Sequence, residues 1–434
     1  MKIQNQEYKQ NKIIEILKSE IVPALGCTEP IAVALATAKA KELLPNKVSY
    51  ISIDVSPNIY KNGMGVGVPG TGMVGLNIAA ALGAICGKSC DKLEVLKYVN
   101  LEYVSIAQEM IKENKVLVKP INTKQKLYIL ATCSDGTNHS QVIIEDSHTN
   151  ITKVIYNEEV IESTKGANVA SNSENENDNF VLNFNDIYSF SMNTPIEKID
   201  FIIEGAKMNS ILSEIGLNEK SGLGVGANLA SKLTDLNDKN ELMSAAMART
   251  AAASDARMSG VMQAAMSTAG SGNQGITAMM PIVSVAKSLN STKEQLIRAL
   301  ILSNLTVIYM KKYFGRLSAA CGCVVASTGA ACGVTYLLGG NETQISYSIK
   351  NMIGNLTGMI CDGAKLGCAL KVATGTSAAV QSAYLAMSNI CIAQTDGIVE
   401  VGVDKSIKNI GKITCGAMDK VDDTIIEIMV NKED

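Results

Sequence analysis

Residues 316–371 read RLSAACGCVVASTGAACGVTYLLGGNETQISYSIKNMIGNLTGMICDGAKLGCALK and hold five of the eleven cysteines. The first half of this stretch has no charged residue between positions 317 and 340 and is rich in Ala and Gly, which predicts a buried helix. Cysteines gathered in a chain expected to stay in a reducing compartment indicate a metal site before a disulfide. Cys321, Cys361 and Cys368 are the strongest candidates.

The spacing of the last two cysteines constrains the local structure. A continuous helix would hold Cys361 and Cys368 about 10 Å apart along its axis, too far to share one small cluster. Gly363 and Gly367 allow the chain to fold back instead. From these residues alone, zinc, an iron–sulfur cluster and plain core packing all stay open, since free cysteine also behaves as a small buried hydrophobe. Cys323, in the CGC of residues 321–323, is an alternative to Cys321.

Composition predicts the architecture around this stretch. The chain has 434 residues, enough for two or three domains, and is 47% hydrophobic with no Trp and five Phe. Such a core favours helices that approach closely through small residues. We therefore predict an α+β fold, in which a large Ala/Gly-rich all-α domain accompanies a smaller α/β module formed from the N-terminal third.

Charge and hydropathy exclude several kinds of partner. The formal net charge is −3 and the basic residues are scattered, so no nucleic-acid footprint is expected. Three uncharged stretches, at 62–87, 317–340 and 372–395, carry too many Gly, Ser, Thr, Asn or Gln for membrane spans. They are interpreted as buried helices and a glycine loop, so no membrane partner is expected. No apolar run follows the N-terminal charges, and we expect a cytoplasmic protein.

The N-terminal segment predicts a reactive thiol. Two helices between Glu7 and Leu44 are interrupted at VPALGC, residues 22–27. Thr28 is expected to cap the second helix, with Pro30 in its first turn. Cys27 then precedes a helix N-terminus, where unpaired amides and the dipole lower a thiol pKa. The alternative is a buried cysteine beside a helix cap.

A glycine-rich segment follows a predicted strand at SYISIDVS, residues 49–56. Residues 56–75, SPNIYKNGMGVGVPGTGMVG, contain six glycines and are predicted to form a loop whose amides approach an anionic ligand. Asn58, Lys61 and Asn62 are the candidate substrate contacts, and a long flexible turn is the alternative. Four strands are predicted between residues 115 and 161. His139 and His148 fall in their turns and are expected to be surface residues without an acid–base role.

From Asp186 onward the pattern is helical. A second glycine-rich turn at 270–275 presents Ser271, Asn273 and Gln274, and its amides can form an anion nest. Asp255 and Arg257 lie two apart on a helix and are expected to pair with a neighbouring helix. The polar stretch SNSENENDN, residues 171–179, predicts a disordered loop at a domain boundary.

Four motifs in one order carry a family resemblance: LGCTEP (25–30), NIYKNGMGVGVPGTG (58–72), GSGNQGITAMMP (270–281) and CDGAKLGCALK (361–371). Together they resemble the L-cysteine desulfidase family, which is related to the iron–sulfur L-serine dehydratase alpha chain. The resemblance implies a [4Fe-4S] cluster held by Cys321, Cys361 and Cys368, with Cys27 as the catalytic thiol. The last two of these ligands, Cys361 and Cys368, are closer together in sequence than the corresponding ligands of the serine dehydratases.

The resemblance implies β-elimination from a small L-amino acid, giving sulfide, pyruvate and ammonia from L-cysteine. Lys61 and the loop from Ser271 to Gln274 are expected to orient the substrate. An L-serine dehydratase and a non-catalytic iron–sulfur redox sensor are the alternatives. Pyridoxal phosphate chemistry has no recognisable motif here, although Lys207 and Lys365 lie in glycine-containing surroundings.

Three domains and a homodimer complete the predicted organisation. Residues 1–45 form N-terminal helices that pack on the catalytic domain, residues 46–182 form the small α+β module, and residues 183–434 form the helical, cluster-binding catalytic domain. A chain of this size is often a symmetric homodimer.

Overall fold

A computed structural model describes residues 2–123, 125–164, 182–219, 221–315 and 318–432. The predicted disordered loop at 171–179 lies outside these residues. The helices are α1 (Lys2–Glu20), α2 (Thr28–Lys41), α3 (Pro57–Gly63), α4 (Leu76–Cys86), α5 (Leu101–Lys112), α6 (Phe184–Asn193), α7 (Ile202–Asn218), α8 (Val225–Ala230), α9 (Leu242–Met258), α10 (Gly272–Ser288), α11 (Lys293–Phe314), α12 (Gly322–Leu337), α13 (Glu342–Leu356), α14 (Cys368–Met387), α15 (Val403–Lys412) and α16 (Asp419–Val430). The strands are β1 (Pro23–Ala24), β2 (Tyr50–Val55), β3 (Val116–Pro120), β4 (Tyr128–Ser134), β5 (His139–Glu145), β6 (Ile151–Tyr156), β7 (Glu159–Ser163) and β8 (Ala265–Met266).

The N-terminal part is built on a six-stranded mixed sheet in the order β3-β2-β4-β5-β6-β7. Strands β2 and β3 are parallel and the other neighbours are antiparallel. The predicted strand at 49–56 and the four between 115 and 161 are confirmed, and β7 is an additional hairpin partner of β6. The alternating residues Ile51, Ile53 and Val55 are fully buried beneath α2 and α4, as a half-buried strand requires.

The remainder is a helical assembly with close contacts between small residues, as the composition predicts. A Cβ on Gly216 of α7 would lie 2.0 Å from the Ala252 carbonyl oxygen of α9, so only glycine permits this helix approach. The predicted α+β class is therefore confirmed: a mixed sheet in the N-terminal third and a large helical remainder.

Each N-terminal helix contributes to a different buried core. Ile13 and Leu17 of α1 belong to the core of the helical part, whereas Ile31 and Leu35 of α2 belong to the core beneath the sheet. The short ladder between β1 and β8 ties the turn between these helices to the segment after α9. The division at residues 45 and 182 stays a prediction.

Local expectations were wrong at three places. Cys27, not Thr28, is the N-cap of α2, because the helix begins one residue earlier than predicted. Residues 57–63 form a helix rather than part of a glycine loop, since Pro57 starts it and no glycine occurs before Gly63. The turn at 270–275 is also shorter than predicted, because α10 already begins at Gly272.

Among the described residues, no helix combines the length and the apolar character needed to cross a bilayer.

Candidate functional site

Two of the predicted cluster ligands are held side by side by a short backbone pairing. Ala320 and Ile360 form an isolated antiparallel bridge. The Cys321 amide donates to the Met359 carbonyl at 2.8 Å, and the Cys361 amide donates to the Ala319 carbonyl at 2.6 Å. Cys321 is the N-cap of α12, so the start of that helix presents its thiol beside that of Cys361.

The third candidate returns to the same place through the predicted fold-back. Gly363 has a φ of +93°, a left-handed conformation that lets the chain reverse before α14 begins at Cys368. The Cys368 thiol points toward the Gly363 carbonyl oxygen, 3.8 Å away. Burial raises the pKa of Cys368, and the charge of the nearby Cys361 raises it further. The structure therefore brings Cys321, Cys361 and Cys368 together on adjoining segments.

Cys323 lies close to Cys321 and Cys368 but is more deeply buried than either. Its side chain is 6% exposed, and its thiol donates to the Lys371 carbonyl at 3.2 Å. It also fills the contact between α12 and α14, where a Cβ on Gly375 would lie 2.5 Å from the Cys323 sulfur. Cys321, Cys361 and Cys368 are less buried. The packing therefore favours Cys321 over Cys323 as the accessible thiol of the CGC pair.

The electrostatics of the paired thiols favour one ionised sulfur. Interaction with the Cys321 thiol lowers the pKa of Cys361 to about 6 against the effect of burial, and Lys61 and Lys371 contribute in the same direction. The pKa of Cys321 is raised correspondingly, first by its interaction with Cys361 and then by burial. The lowered pKa of Cys361 favours its thiolate, which is the form in which sulfur binds metals.

The three cysteines supply the thiolate donors that iron–sulfur clusters use. Across the described ranges, no group of three or more His, Cys, Asp and Glu side chains is arranged to hold one metal ion. In a four-iron cluster each thiolate binds a different iron, so three ligands need not converge on one point. Three neighbouring thiols with two lysines nearby match the chemistry of such an anionic cluster.

Cys27 lies next to this group of thiols. It packs with Val66 and Met258 in a small buried cluster that also contacts Leu366 and Cys368. Its thiol donates to the Glu29 carboxylate (Oε2) at 3.0 Å. The structure therefore places Cys27 close to the cluster stretch, and its catalytic role stays a prediction.

The ionisation predicted for Cys27 is wrong. Burial, and then the Glu29 carboxylate, raise the pKa of Cys27 well above its ordinary value, and Arg257 opposes them only in part. The helix N-terminus does not outweigh the loss of water and a carboxylate two residues away. The raised pKa favours the protonated thiol, which donates to Glu29.

Glu29 and His148 are functional candidates that the sequence interpretation missed. Glu29 is 6% exposed and also accepts from the Asn62 amide at 3.2 Å. His148 Nε2 lies 3.8 Å from Glu29 Oε1, too long for a hydrogen bond, so the contact is electrostatic. Burial raises the pKa of Glu29, but His148 and the Cys27 thiol lower it more, to about 2. The signal for Glu29 was its position in the LGCTEP motif.

The turn between β5 and β6 therefore reaches the site, and the expectation that His148 is a surface residue was wrong. Its side chain is only 19% exposed. The sequence offered no local sign of this contact, because Glu29 and His148 are joined by the tertiary packing of the sheet on α2.

Helix α3 places Lys61 and Asn62 at the site, with Asn58 buried one turn earlier. Lys61 is 2% exposed, forms an ion pair with Asp422 of α16 and donates to the Cys361 carbonyl at 3.3 Å. A Cβ on Gly363 would lie 2.2 Å from the Lys61 carbonyl oxygen, so α3 packs directly on the cluster loop. The Lys61 charge is thus satisfied by protein groups, and its role as a substrate contact stays a prediction.

An Asp422→Asn variant is expected to lose about 3–5 kcal/mol of unfolding free energy, because it leaves the buried Lys61 ammonium without its counterion. The double variant Lys61→Met with Asp422→Leu is expected to recover most of that loss, since it removes both charges. Denaturant unfolding of the three proteins measures the difference. Equal stability of wild type and Asp422→Asn would show that the ion pair contributes nothing.

The first turn of α10 brings Asn273 and Gln274 to the same region. Asn273 Oδ1 accepts from Arg257 Nη1 at 3.3 Å and from Ser254 at 3.4 Å. The Gln274 side chain packs against Gly322, one residue after Cys321. Ser271 is the N-cap of α10, but its side chain caps no amide.

The expected ion pairs of Asp255 and Arg257 with a neighbouring helix are absent within the described ranges. Asp255 instead accepts from the Gly226 amide at 2.9 Å. Arg257 donates to the Gly26 carbonyl at 2.8 Å, which puts its charge beside Cys27. Arg257 is thus another site residue that the sequence interpretation set aside.

The two lysines considered for pyridoxal phosphate are not presented as nucleophiles. Lys207 is 65% exposed and pairs with Glu204 at 2.8 Å, and Lys365 pairs with Asp362. Neither lies in the enclosed, desolvated environment that lowers a lysine pKa for imine formation.

Comparison with known proteins identifies the family. Residues 92–427 match the family model described as serine dehydratase alpha chain. The chain therefore belongs to the serine dehydratase alpha-chain family, which supports a lyase of the β-elimination type. The predicted relationship to this family is confirmed.

Relatives of similar length extend this comparison over nearly the whole chain. A UPF0597 protein from Parabacteroides distasonis is 46% identical over 423 residues, covering 98% of both chains. A UPF0597 protein from Bacteroides thetaiotaomicron is 44% identical, covering 98% of this chain and 99% of its own. A UPF0597 protein from Clostridium perfringens is also 44% identical, with 97% and 98% covered.

Proposed function

We propose that the protein catalyses iron–sulfur-dependent β-elimination of a small L-amino acid, with L-cysteine as substrate and sulfide, pyruvate and ammonia as products. The observation that carries this proposal is the grouping of the Cys321, Cys361 and Cys368 thiols beside Cys27. Family membership supports the reaction class, and the resemblance of the four motifs to the L-cysteine desulfidase family supports L-cysteine as the substrate.

Cys321, Cys361 and Cys368 would hold a [4Fe-4S] cluster, leaving one iron without a protein ligand. When bound, such a cluster supplies a Lewis acid that can stabilise negative charge on a substrate group. Lys61 and Lys371 add positive charge next to these ligands and favour their thiolate forms.

The elimination needs no oxidant. The α-proton passes to a base, and the electron pair of the broken Cα–H bond forms the Cα–Cβ double bond. The electron pair of the Cβ–S bond leaves with the sulfur as sulfide. The resulting aminoacrylate gives pyruvate and ammonia by tautomerisation and hydrolysis. General-base catalysis of this kind typically contributes about 10²–10⁴-fold.

Cys27 would take the α-proton as a thiolate, formed by loss of the thiol proton to solvent, and Glu29 would position the Cys27 side chain through the 3.0 Å hydrogen bond. Because the pKa of Glu29 is lowered and that of Cys27 is raised, Glu29 cannot itself take the thiol proton. The Arg257 charge lowers the Cys27 pKa and so favours the thiolate. Asn62 donates to the other Glu29 oxygen at 3.2 Å and His148 faces it, so these side chains hold the carboxylate in place. Burial of the dyad excludes water that would compete for the proton.

L-Serine is the second candidate substrate, since the matching family model is described as serine dehydratase alpha chain. The same residues would act on L-serine, from which the β-hydroxyl group would leave as water instead of sulfide. A non-catalytic redox sensor with the same cluster is the more distant alternative.

Anaerobic purification followed by iron, sulfide and turnover measurements tests the proposal. We expect about four iron and four sulfide per chain for a cubane cluster, sulfide release from L-cysteine, and a larger kcat/KM for L-cysteine than for L-serine. A larger value for L-serine would instead establish the dehydratase. A full cluster with no turnover of either amino acid would favour the sensor, and protein without iron would refute the cluster.

We also propose a cytoplasmic location, where thiols stay reduced, and a homodimer, which size-exclusion chromatography with light scattering would test.

A further inference from the structure

A buried arginine lies beside the proposed site without a carboxylate partner. The Arg257 side chain is 3% exposed, and its guanidinium donates to the Gly26 carbonyl at 2.8 Å and to Asn273 at 3.3 Å. In the part of the chain that the structure describes, its Nε has no hydrogen-bond partner, and no Asp or Glu forms an ion pair with Arg257. Burying a cation without an anion is costly, so the arrangement invites an anionic ligand.

The position of Arg257 against a helix start strengthens this argument. A Cβ on Gly272 would lie 2.3 Å from Arg257 Nε, so the guanidinium rests on the first turn of α10. No side chain caps this helix, and its N-terminal amides carry partial positive charge. A cation and a helix N-terminus repel each other, whereas an anion that contacts both would be stabilised by both.

Unpartnered acceptors occur in the same region. Gln274 Oε1, on the first turn of α10, and Asn62 Oδ1, beside Glu29, are buried atoms without hydrogen-bond partners. A buried acceptor without a donor costs about 1–3 kcal/mol, so each is a candidate contact for a donor group. A ligand with a carboxylate and an ammonium group could accept from the Arg257 guanidinium and donate to these two acceptors.

We propose that Arg257 binds the α-carboxylate of an α-amino acid, with Gln274 and Asn62 accepting from its ammonium group. This inference rests on the proposed function and names the substrate-anchoring residue of that site. A guanidinium binds a carboxylate through two parallel hydrogen bonds, which gives orientation as well as affinity. Contact between Arg257 and Gly26 places such a carboxylate next to Cys27, where the α-proton must be removed.

Binding of L-alanine, which has no leaving group, tests this proposal without turnover. By calorimetry on the full chain purified anaerobically, we expect L-alanine to bind and L-alaninamide to bind at least about 10-fold more weakly. Arg257→Gln and Arg257→Lys are expected to weaken L-alanine binding by about 10–100-fold and to abolish the preference over the amide. In turnover, Arg257→Lys should raise KM more than it lowers kcat.

Two further variants protect the test against a purely structural effect. Gly272→Ala keeps the charge but displaces the guanidinium, and it should reproduce the weaker binding. Arg249→Lys is the matched control: Arg249 lies on the same helix, is 5% exposed and also has an unpartnered Nε, but it donates to Leu236, Ser284 and Asn237 instead of facing Cys27. We expect Arg249→Lys to retain L-alanine affinity.

The outcomes separate this inference from the proposed function. Equal L-alanine affinity in wild type and a folded Arg257→Gln variant, or no L-alanine binding by wild type, would overturn the anchor even if L-cysteine is turned over. Arg257-dependent L-alanine binding without turnover of L-cysteine or L-serine would support the anchor and refute the proposed reaction.

Discussion

A Cys361→Ser variant is expected to lose most of its iron and sulfide, with turnover falling below detection. Cys361 and Cys321 lie diagonally across the Ala320–Ile360 bridge, and Cys361 is next to Lys61, so the backbone fixes the position of its thiol. A serine hydroxyl does not ionise at neutral pH and binds iron poorly. Since outer-shell changes alone cost about 10–100-fold in metal affinity, loss of a direct ligand should exceed that. Iron and sulfide analysis of anaerobically purified protein measures the effect.

Cys332→Ser provides the control for this variant. Cys332 is fully buried within α12, where its thiol donates to the Thr328 carbonyl at 3.3 Å, a bond that a hydroxyl can also make. We expect it to keep its iron and its activity. Retention of a full cluster by Cys361→Ser would refute the assignment, and the same analysis of Cys321→Ser and Cys323→Ser would decide which CGC thiol is the ligand.

Local sequence patterns predicted the parts of this site that depend on local geometry. The glycines between Cys361 and Cys368 required a reversal, and Gly363 provides it with a left-handed φ of +93°. The alternation in residues 49–56 gave the strand, and the breakers at 22–27 gave the turn that presents Cys27. In each case a few neighbouring residues determine the backbone, so one sequence is sufficient.

Contacts between distant segments could not be predicted in this way. His148 reaches Glu29 because the sheet packs on α2, and Arg257 reaches Gly26 because the segment after α9 pairs with β1. Neither contact leaves a periodic signal. Cys27 shows a further limit: the helix terminus is a local feature, but the burial that raises the thiol pKa comes from tertiary packing.

A Cys27→Ala variant is expected to retain its iron while turnover falls by about 10²–10⁴-fold, the usual contribution of a positioned base. Cys368 packs against the small apolar cluster that contains Cys27, but Cys27 is not one of the three proposed ligands, so its removal should spare the iron–sulfur cluster. The variant also leaves Glu29 without its thiol donor. Iron content, the visible absorption of the cluster and kcat for L-cysteine should be measured on the same anaerobic preparation.

Glu29→Gln separates the two members of the dyad. Glutamine keeps the size of Glu29 and can still accept a hydrogen bond from Cys27, but it lacks the negative charge that raises the Cys27 pKa. If Glu29 acts only by positioning Cys27, Glu29→Gln should keep most of the activity that Cys27→Ala loses, and adding it to Cys27→Ala should change little. A loss of activity in Glu29→Gln as large as that in Cys27→Ala would mean that the Glu29 charge itself takes part in the proton transfer. Loss of iron in Cys27→Ala would instead make Cys27 a part of the cluster site, and the base would have to be sought among Glu29 and its partners.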